Sequence, residues 1–150
     1  GNALFVESGG VTIHAQLVEG RFPRWRDVFP SPANAQLLTL PIGAFHSAVR
    51  QAAIVTSKEH RGVEFIFEQG KVTMAGHGAE HGESRVELPV AYEGPRVEVN
   101  LFPQFLTDFL RVLDQEESFT LQITGPETAV VCNFGEGYGY VIMPLAKDTV

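Results

Sequence analysis

The stretch RVEVNLFPQFLTDFLRVL, residues 96–113, changes its hydrophobic period partway along. Its first part alternates apolar and polar residues, which predicts a strand over Arg96–Leu101. Its second part repeats apolar residues at helical spacing and has a proline near its start, which predicts a helix over Pro103–Leu113. The apolar residues on one side of that helix are Leu106, Phe109, Leu110 and Leu113.

The same succession occurs earlier in the chain. A short strand is predicted near Gln36–Leu40, and a helix follows it over Pro41–Thr56, with Phe45, Val49 and Ala52 at helical spacing. The two stretches share this pattern without visible residue identity. A strand that leads directly into a helix therefore occurs twice.

Three strands are predicted after each helix. After the first helix, Val63, Phe65 and Phe67 share one face of a strand, and Gln69-Gly70 is a turn into the next. The remaining predicted strands run through Val72 and Met74, Val86 and Leu88, Phe119–Ile123, Ala129–Cys132, and Tyr138–Met143. The chain thus contains a strand–helix–three-strand unit twice, which predicts an α+β fold with two helices side by side on one face of curved antiparallel sheet.

Residues 1–20 differ from the rest of the chain. Leu4–Val6 and Val11–Leu17 predict a hairpin that turns at Gly9-Gly10, and a proline-containing segment follows. A single hairpin is only marginally stable in water. We therefore predict that residues 1–20 are the terminal hairpin of a preceding domain plus a connector, that residues 21–150 form the main domain, and that the chain is a piece of a longer protein.

Composition excludes several classes of protein. The chain has 150 residues, a net charge of -7 and a single cysteine, Cys132, so it has no internal disulfide. No apolar run has the roughly 20 residues that a membrane helix needs, and no signal peptide is evident. The negative charge argues against tight nucleic-acid binding, which depends on neutralising phosphates. We predict a cytoplasmic protein.

Three separated motifs carry a resemblance to a known family. LVEGRFPRWRDVFP, residues 17–30, resembles the segment that leads into the third domain of bacterial sliding clamps, the beta subunits of the replicative DNA polymerase. AAIV at residues 52–55, followed by RGV at residues 61–63, is similar to the end of that domain's first helix and its next strand. YGYVIMPL, residues 138–145, resembles the family's terminal strand. Together the motifs cover almost the whole chain in the family's order.

The resemblance implies a DNA-clamp fold and a non-catalytic function. Residues 1–20 would end the second clamp domain, and residues 21–150 would be the third. The full-length protein would be a head-to-tail homodimer that encircles duplex DNA without reading its sequence. It would tether the replicative polymerase and other clamp-binding proteins through short linear motifs, and a clamp loader would be a further partner. No cofactor and no metal are expected.

The resemblance also implies a hydrophobic peptide-binding pocket. Partner motifs in the family are short, with a glutamine followed by leucine and phenylalanine anchors, and such peptides need deep apolar pockets. A simpler interpretation of Val141, Ile142 and Met143 is that they fill the core of an edge strand. The positions implied for the pocket are Pro23, Val28, His60, Phe105, Val141, Ile142, Met143, Pro144 and Leu145.

Two further surfaces follow from the resemblance. Ile54 and Val55 match the apolar pair at the subunit interface, although a buried helix end would have the same composition. The two helices would line the DNA-facing hole, with His46, Arg50, Gln104 and Arg111 exposed there, unless this is an ordinary solvated face. Asp27 and Phe102 depart from the family, which usually carries a basic residue at the first position and often a polar one at the second.

The alternative hypothesis is a small metal-dependent hydrolase. His77 and His81 are spaced i and i+4, which would place both on one side of a helix as zinc ligands. The neighbouring glycines Gly76, Gly78 and Gly82 argue against a helix and favour a polar loop. No motif marks Cys132 as a nucleophile. We therefore predict that the chain has no catalytic residues.

Overall fold

The computed structural model describes residues 2–21, 24–30, 33–57, 61–78 and 82–146. In chain order the elements are β1 (Ala3–Ser8), β2 (Val11–Gln16), α1 (Trp25–Val28), β3 (Gln36–Pro41), α2 (Ile42–Ala52), a 3-10 turn (Ala53–Val55), β4 (Val63–Glu68), β5 (Lys71–Gly78), β6 (Gly82–Pro89), β7 (Val97–Leu101), α3 (Pro103–Leu110), β8 (Ser118–Ile123), β9 (Val130–Phe134) and β10 (Tyr138–Ile142). No helix in this described part is long and apolar enough to cross a membrane.

The predicted doubled unit is confirmed. The order β3–α2–β4–β5–β6 is repeated as β7–α3–β8–β9–β10. Both predicted helices are shorter than expected: α2 ends at Ala52 and continues as a 3-10 turn, and α3 ends at Leu110. The one-turn helix α1 was not predicted, because four residues are too few to show a period.

Strands β3 to β10 form two four-stranded antiparallel sheets, and β1 and β2 form a separate two-stranded one. The first sheet has the order β6-β5-β4-β7 and the second has the order β10-β9-β8-β3. The leading strand of each unit therefore joins the sheet of the other unit: β3 pairs with β8, and β7 pairs with β4. This exchange links the two halves through backbone hydrogen bonds as well as through the core.

The core lies between the two sheets and the helices. Helices α2 and α3 are in contact with each other. The Phe45 ring of α2 lies 6.1 Å from Phe65 in the first sheet and 5.5 Å from Phe119 in the second, centroid to centroid. Phe109 of α3 lies 5.6 Å from the same Phe119 ring. These aromatic contacts join both helices and both sheets into one hydrophobic core.

The predicted amino-terminal hairpin is also present. Gly9 and Gly10 adopt positive φ angles of 56° and 80°, the conformation that a two-residue hairpin turn requires. Every residue of β1 and β2 is exposed in this chain. The hairpin is thus formed by its own pairing and does not share the core of residues 33–146.

Candidate functional site

The terminal strand β10 presents its side chains to two different faces. Ile142 is only 2% exposed and belongs to the hydrophobic core. The Tyr140 ring also faces inward, 5.6 Å from the ring of Phe109. Because side chains alternate along a strand, Val141 and the following Met143 point to the opposite face. The predicted assignment of Ile142 to the pocket is therefore corrected: its side chain fills the core.

We call the face of the second sheet that points away from α2 and α3 the outer face. A cross-strand row on it is fixed by register: Leu37 pairs with Gln122, Gln122 with Val131, and Val131 with Val141. Val131 is 2% exposed but lies outside the core cluster. Because Val131 is almost fully buried there, other parts of the chain cover the centre of the outer face.

From here on we call residues 17–30, the whole segment from the end of β2 to Pro30, the connector, and its last residues contact this face. The Pro30 carbonyl oxygen accepts a hydrogen bond from Gln122 Nε2 at 3.2 Å. The Phe29 ring lies directly over Gly139, so closely that a Cβ built on Gly139 would be 2.6 Å from Phe29 Cε1. Both Phe29 and Pro30 are half-buried, whereas the four residues of α1 are exposed.

Helix α1 presents an aromatic and apolar surface to solvent. Val28 is 55% exposed and Trp25 is 52% exposed. The Arg26 guanidinium lies 4.3 Å above the Trp25 ring, and the Trp25 and Phe29 rings meet edge to face at 5.7 Å. These contacts order the indole within the connector.

The segment after β10 turns toward the first sheet. The backbone N–H of Leu145 donates to the carbonyl oxygen of Asn100 in β7 at 2.8 Å. Two residues further along from Asn100, Phe102 meets Phe105 of α3 edge to face at 5.2 Å. Phe105 is 45% exposed, so an aromatic surface stands beside the point where the terminal segment is attached.

The structure thus leaves six of the predicted pocket residues at least partly accessible. Pro23 and His60 lie outside the described residues, and Ile142 is buried. Met143 is the most exposed of the accessible ones at 62%, followed by Val28 at 55%. The accessible residues are Val28, Phe105, Val141, Met143, Pro144 and Leu145.

The four residues predicted to face DNA line one open groove of about 510 Å³ between α2 and α3. These residues are His46, Arg50, Gln104 and Arg111. The same groove contains Asp108, whose carboxylate lies 3.5 Å from Arg111 and accepts a hydrogen bond from Gln104 at 2.9 Å. Arg50 makes no ion pair with any described residue, so the groove has positive charge that Asp108 partly offsets.

The two residues predicted at the subunit interface differ in exposure. Ile54 is 79% exposed, whereas Val55 is 9% exposed. The Val55 side chain packs against β5, where a Cβ on Gly76 would be 3.2 Å from Val55 Cγ2. The structure therefore corrects the pair: Val55 faces inward, and Ile54 alone offers a large apolar surface.

Burial shifts the pKa of two titratable groups near these surfaces. Burial raises the pKa of the Cys132 thiol far above its usual range, so the thiol stays protonated. Burial, and to a smaller extent the Asp108 carboxylate, also raises the pKa of Tyr140. A thiol or phenol that acts as a nucleophile needs a lowered pKa or a neighbouring base instead.

The hydrolase hypothesis finds no support in the geometry. His77 lies in β5, mostly exposed, with Nδ1 3.4 Å from a carboxylate oxygen of Glu83 on β6. His81 lies outside the described residues. Among residues 2–21, 24–30, 33–57, 61–78 and 82–146, no three histidine, cysteine or carboxylate side chains are grouped to hold a metal ion.

Two strand–helix–three-strand halves, exchanged leading strands and paired helices define a domain of the DNA-clamp class. A solved structure titled Caulobacter crescentus pol III beta superposes with a TM-score of 0.87 and 25% identity, covering 97% of this chain and 39% of that one. The DNA polymerase III subunit beta from Pseudomonas aeruginosa superposes with a TM-score of 0.86 at 22% identity, covering 97% and 40% of the two chains.

The chain belongs to the family described as DNA polymerase III beta subunit, C-terminal domain, which matches residues 26–146. The Beta sliding clamp of Caulobacter vibrioides is 29% identical over 140 residues, 93% of this chain and 37% of that protein. The Bartonella birtlesii sliding clamp bound to griselimycin has a TM-score of 0.86 at 20% identity, covering 97% of this chain and 39% of that one. The chain therefore spans well under half the length of these relatives.

Sequence reasoning missed part of the outer face. Val131 was read only as a member of a strand, and Gly139 only as part of the terminal motif. A small residue between two aromatic ones, as in Tyr138-Gly139-Tyr140, was an available signal for a close contact on the opposite face.

Proposed function

We propose that this chain is the last domain of a sliding clamp, a processivity factor without catalysis of its own. In this proposal a short linear motif of the replicative polymerase, or of another clamp-binding protein, docks on the outer face of the second sheet. The observation that carries the proposal is the group of accessible apolar side chains on the connector and at the end of the chain. Met143 is the most exposed of them at 62%.

The chemistry of that surface suits an apolar peptide anchor. Val28 comes from the connector, Val141 from β10 and Met143 from the segment that follows, so three parts of the chain contribute apolar side chains. Methionine is unbranched and polarisable, which lets one site accept leucine or phenylalanine anchors. Exposed apolar surface of this kind typically marks a binding site.

The remaining parts of a clamp are assigned by the same proposal. The hairpin β1–β2 is the end of the preceding clamp domain, because none of its residues is buried in this chain. Ile54 packs against the neighbouring subunit in a head-to-tail dimer of the full-length protein. A clamp loader opens and closes that ring around duplex DNA.

Contact with DNA is proposed through the groove between α2 and α3. Arg50, Arg111 and His46 would meet phosphates, which carry no sequence information. Asp108 pairs with Arg111 at 3.5 Å and lowers the net positive charge of the groove. A weakly cationic lining suits a ring that must move along the duplex, since tight phosphate binding would hinder sliding.

The peptide site is tested by fluorescence anisotropy with a labelled peptide of the Gln-Leu-x-Leu-Phe type. We expect saturable binding to the unmodified chain and about tenfold weaker binding after Met143→Ala, because a central apolar anchor contact is lost. Val112→Ala is the matched control, since Val112 is 65% exposed beyond the end of α3 and away from the proposed site.

Circular dichroism establishes that each variant is folded. Equal weakening by both substitutions, or no binding to the folded unmodified chain, would reject the proposed peptide site.

A further inference from the structure

Gly139 is a glycine that the backbone conformation does not require. Its φ angle lies outside the left-handed region, in contrast to Gly135 in the preceding turn at +58°. Any residue could adopt its extended conformation within β10. The space on its outer side is what requires glycine, because an ideal Cβ there would lie 2.6 Å from Phe29 Cε1; Asn133 Oδ1 is also near, but farther away at 3.2 Å.

In the described part of the chain, the Phe29 ring over Gly139 is one contact that attaches the end of the connector to the sheet. Another is the hydrogen bond from Gln122 Nε2 to the Pro30 carbonyl oxygen, at 3.2 Å. Helix α1 has no buried residue of its own. The position of Val28, which directly precedes Phe29, therefore depends on how Phe29 and Pro30 are seated on the outer face.

We propose that Gly139 is a positioning residue for the peptide-binding site. Because Gly139 has no side chain, the Phe29 ring can lie against the strand, and this contact holds Val28 beside Val141 on the outer face. This inference deepens the proposed function and rests on it. Gly139 itself need not touch the peptide.

A side chain at position 139 would move the connector rather than the strand. Strand β10 is paired with β9 from Tyr138 to Ile142, and Ile142 is buried in the core on its other face. In the described part of the connector no residue is buried, and only Phe29 and Pro30 are half-buried. A methyl group at position 139 would therefore lift Phe29 from the sheet, and Val28 and Trp25 would move with it.

The test compares Gly139→Ala with Gly137→Ala in the full chain. Gly137 is the matched control, because it lies two residues away in the same hairpin and a Cβ there meets nothing within 4 Å. Trp25 is the single tryptophan of the protein, so acrylamide quenching of its fluorescence reports on the connector alone. Peptide affinity and the thermal unfolding midpoint are measured on the same samples.

Gly139→Ala is expected to increase the quenching of Trp25 in the absence of peptide and to weaken peptide binding about tenfold. Gly137→Ala is expected to change neither. Adding Phe29→Leu to Gly139→Ala removes the ring atom that clashes. We expect the quenching of Trp25 to fall back to the level of the unmodified chain and most of the peptide affinity to be regained.

The inference is overturned if Gly139→Ala leaves both quenching and affinity unchanged, or if Gly137→Ala has the same effects. It is also overturned if Gly139→Ala lowers the thermal midpoint and the added Phe29→Leu brings neither the quenching of Trp25 nor the peptide affinity back to the value of the unmodified chain. If the unmodified chain binds no peptide, the proposed function fails. Trp25 quenching in Gly139→Ala and Gly137→Ala then shows separately whether Gly139 holds the connector against the sheet.

Discussion

Cys132 shows how one buried residue can report on folding. It is fully buried in β9, and burial raises the pKa of its thiol. The unfolded thiol ionises from about pH 8.5, whereas the folded thiol remains protonated. Above that pH the unfolded state binds fewer protons than the folded state, so the free energy of unfolding falls as pH rises. The stabilisation that comes from keeping the Cys132 thiol protonated is present in full only below about pH 8.5.

We expect the free energy of unfolding to fall more steeply between about pH 8.5 and 10.5 for the unmodified chain than for Cys132→Ala. Urea unfolding across this range measures both slopes. Parallel slopes would show that Cys132 ionises as readily in the folded chain as in the unfolded one. A thiol reagent should likewise react with the native chain only as fast as the chain opens.

At the scale of residues, sequence patterns predicted which face a side chain takes better than which partner it meets. The alternation in Tyr138–Met143 was visible, but the resemblance gave Val141, Ile142 and Met143 together as pocket residues. The three residues differ in burial, because side chains alternate between the two faces of a strand and Ile142 therefore faces the core. Contacts such as Phe29 over Gly139 join residues far apart in sequence, and a single sequence carries no direct signal for them.

At the scale of elements, the doubled unit was predictable because each half carries a complete change of period from strand to helix. The exchange of β3 and β7 between the two sheets was not predictable, since alternation indicates that a segment is a strand without naming its neighbour. The helix ends were overestimated because apolar spacing continues into the 3-10 turn at Ala53–Val55 and past Leu110.

The amino-terminal hairpin gives a prediction at this scale. Because every residue of β1 and β2 is exposed, removing residues 1–17 should leave the thermal midpoint of the rest within about 2 °C of the full chain. Differential scanning calorimetry makes the comparison.

Phe109→Ala provides the contrast, since Phe109 is fully buried against Phe119 and its loss should cost about 3–5 kcal/mol. A large drop in midpoint on removal of the hairpin would mean that β1 and β2 support the domain after all.

At the scale of the whole molecule, cationic side chains are gathered in one groove although the chain as a whole is acidic. The net charge is -7, yet His46, Arg50 and Arg111 line the same groove between the helices. On the first sheet, Lys71 is paired with Glu68 and Glu87 at 3.4 and 3.1 Å. Val28, Val141 and Met143 lie on the connector, β10 and the terminal segment, away from this groove, although Arg26 and Asp27 stand beside Val28 in α1. Their location on a different face from the groove supports separate surfaces for phosphate and for peptide.

The central claim is that a partner peptide binds on the outer face of the second sheet and not in the groove between α2 and α3. Methyl NMR spectra of the chain, titrated with the Gln-Leu-x-Leu-Phe peptide, test it most directly. We expect the methyl signals of Val28, Val141 and Met143 to shift, while those of Ile54 and Thr107 in the groove stay unchanged. Shifts concentrated at Ile54 and Thr107, with Val28, Val141 and Met143 unaffected, would contradict the account.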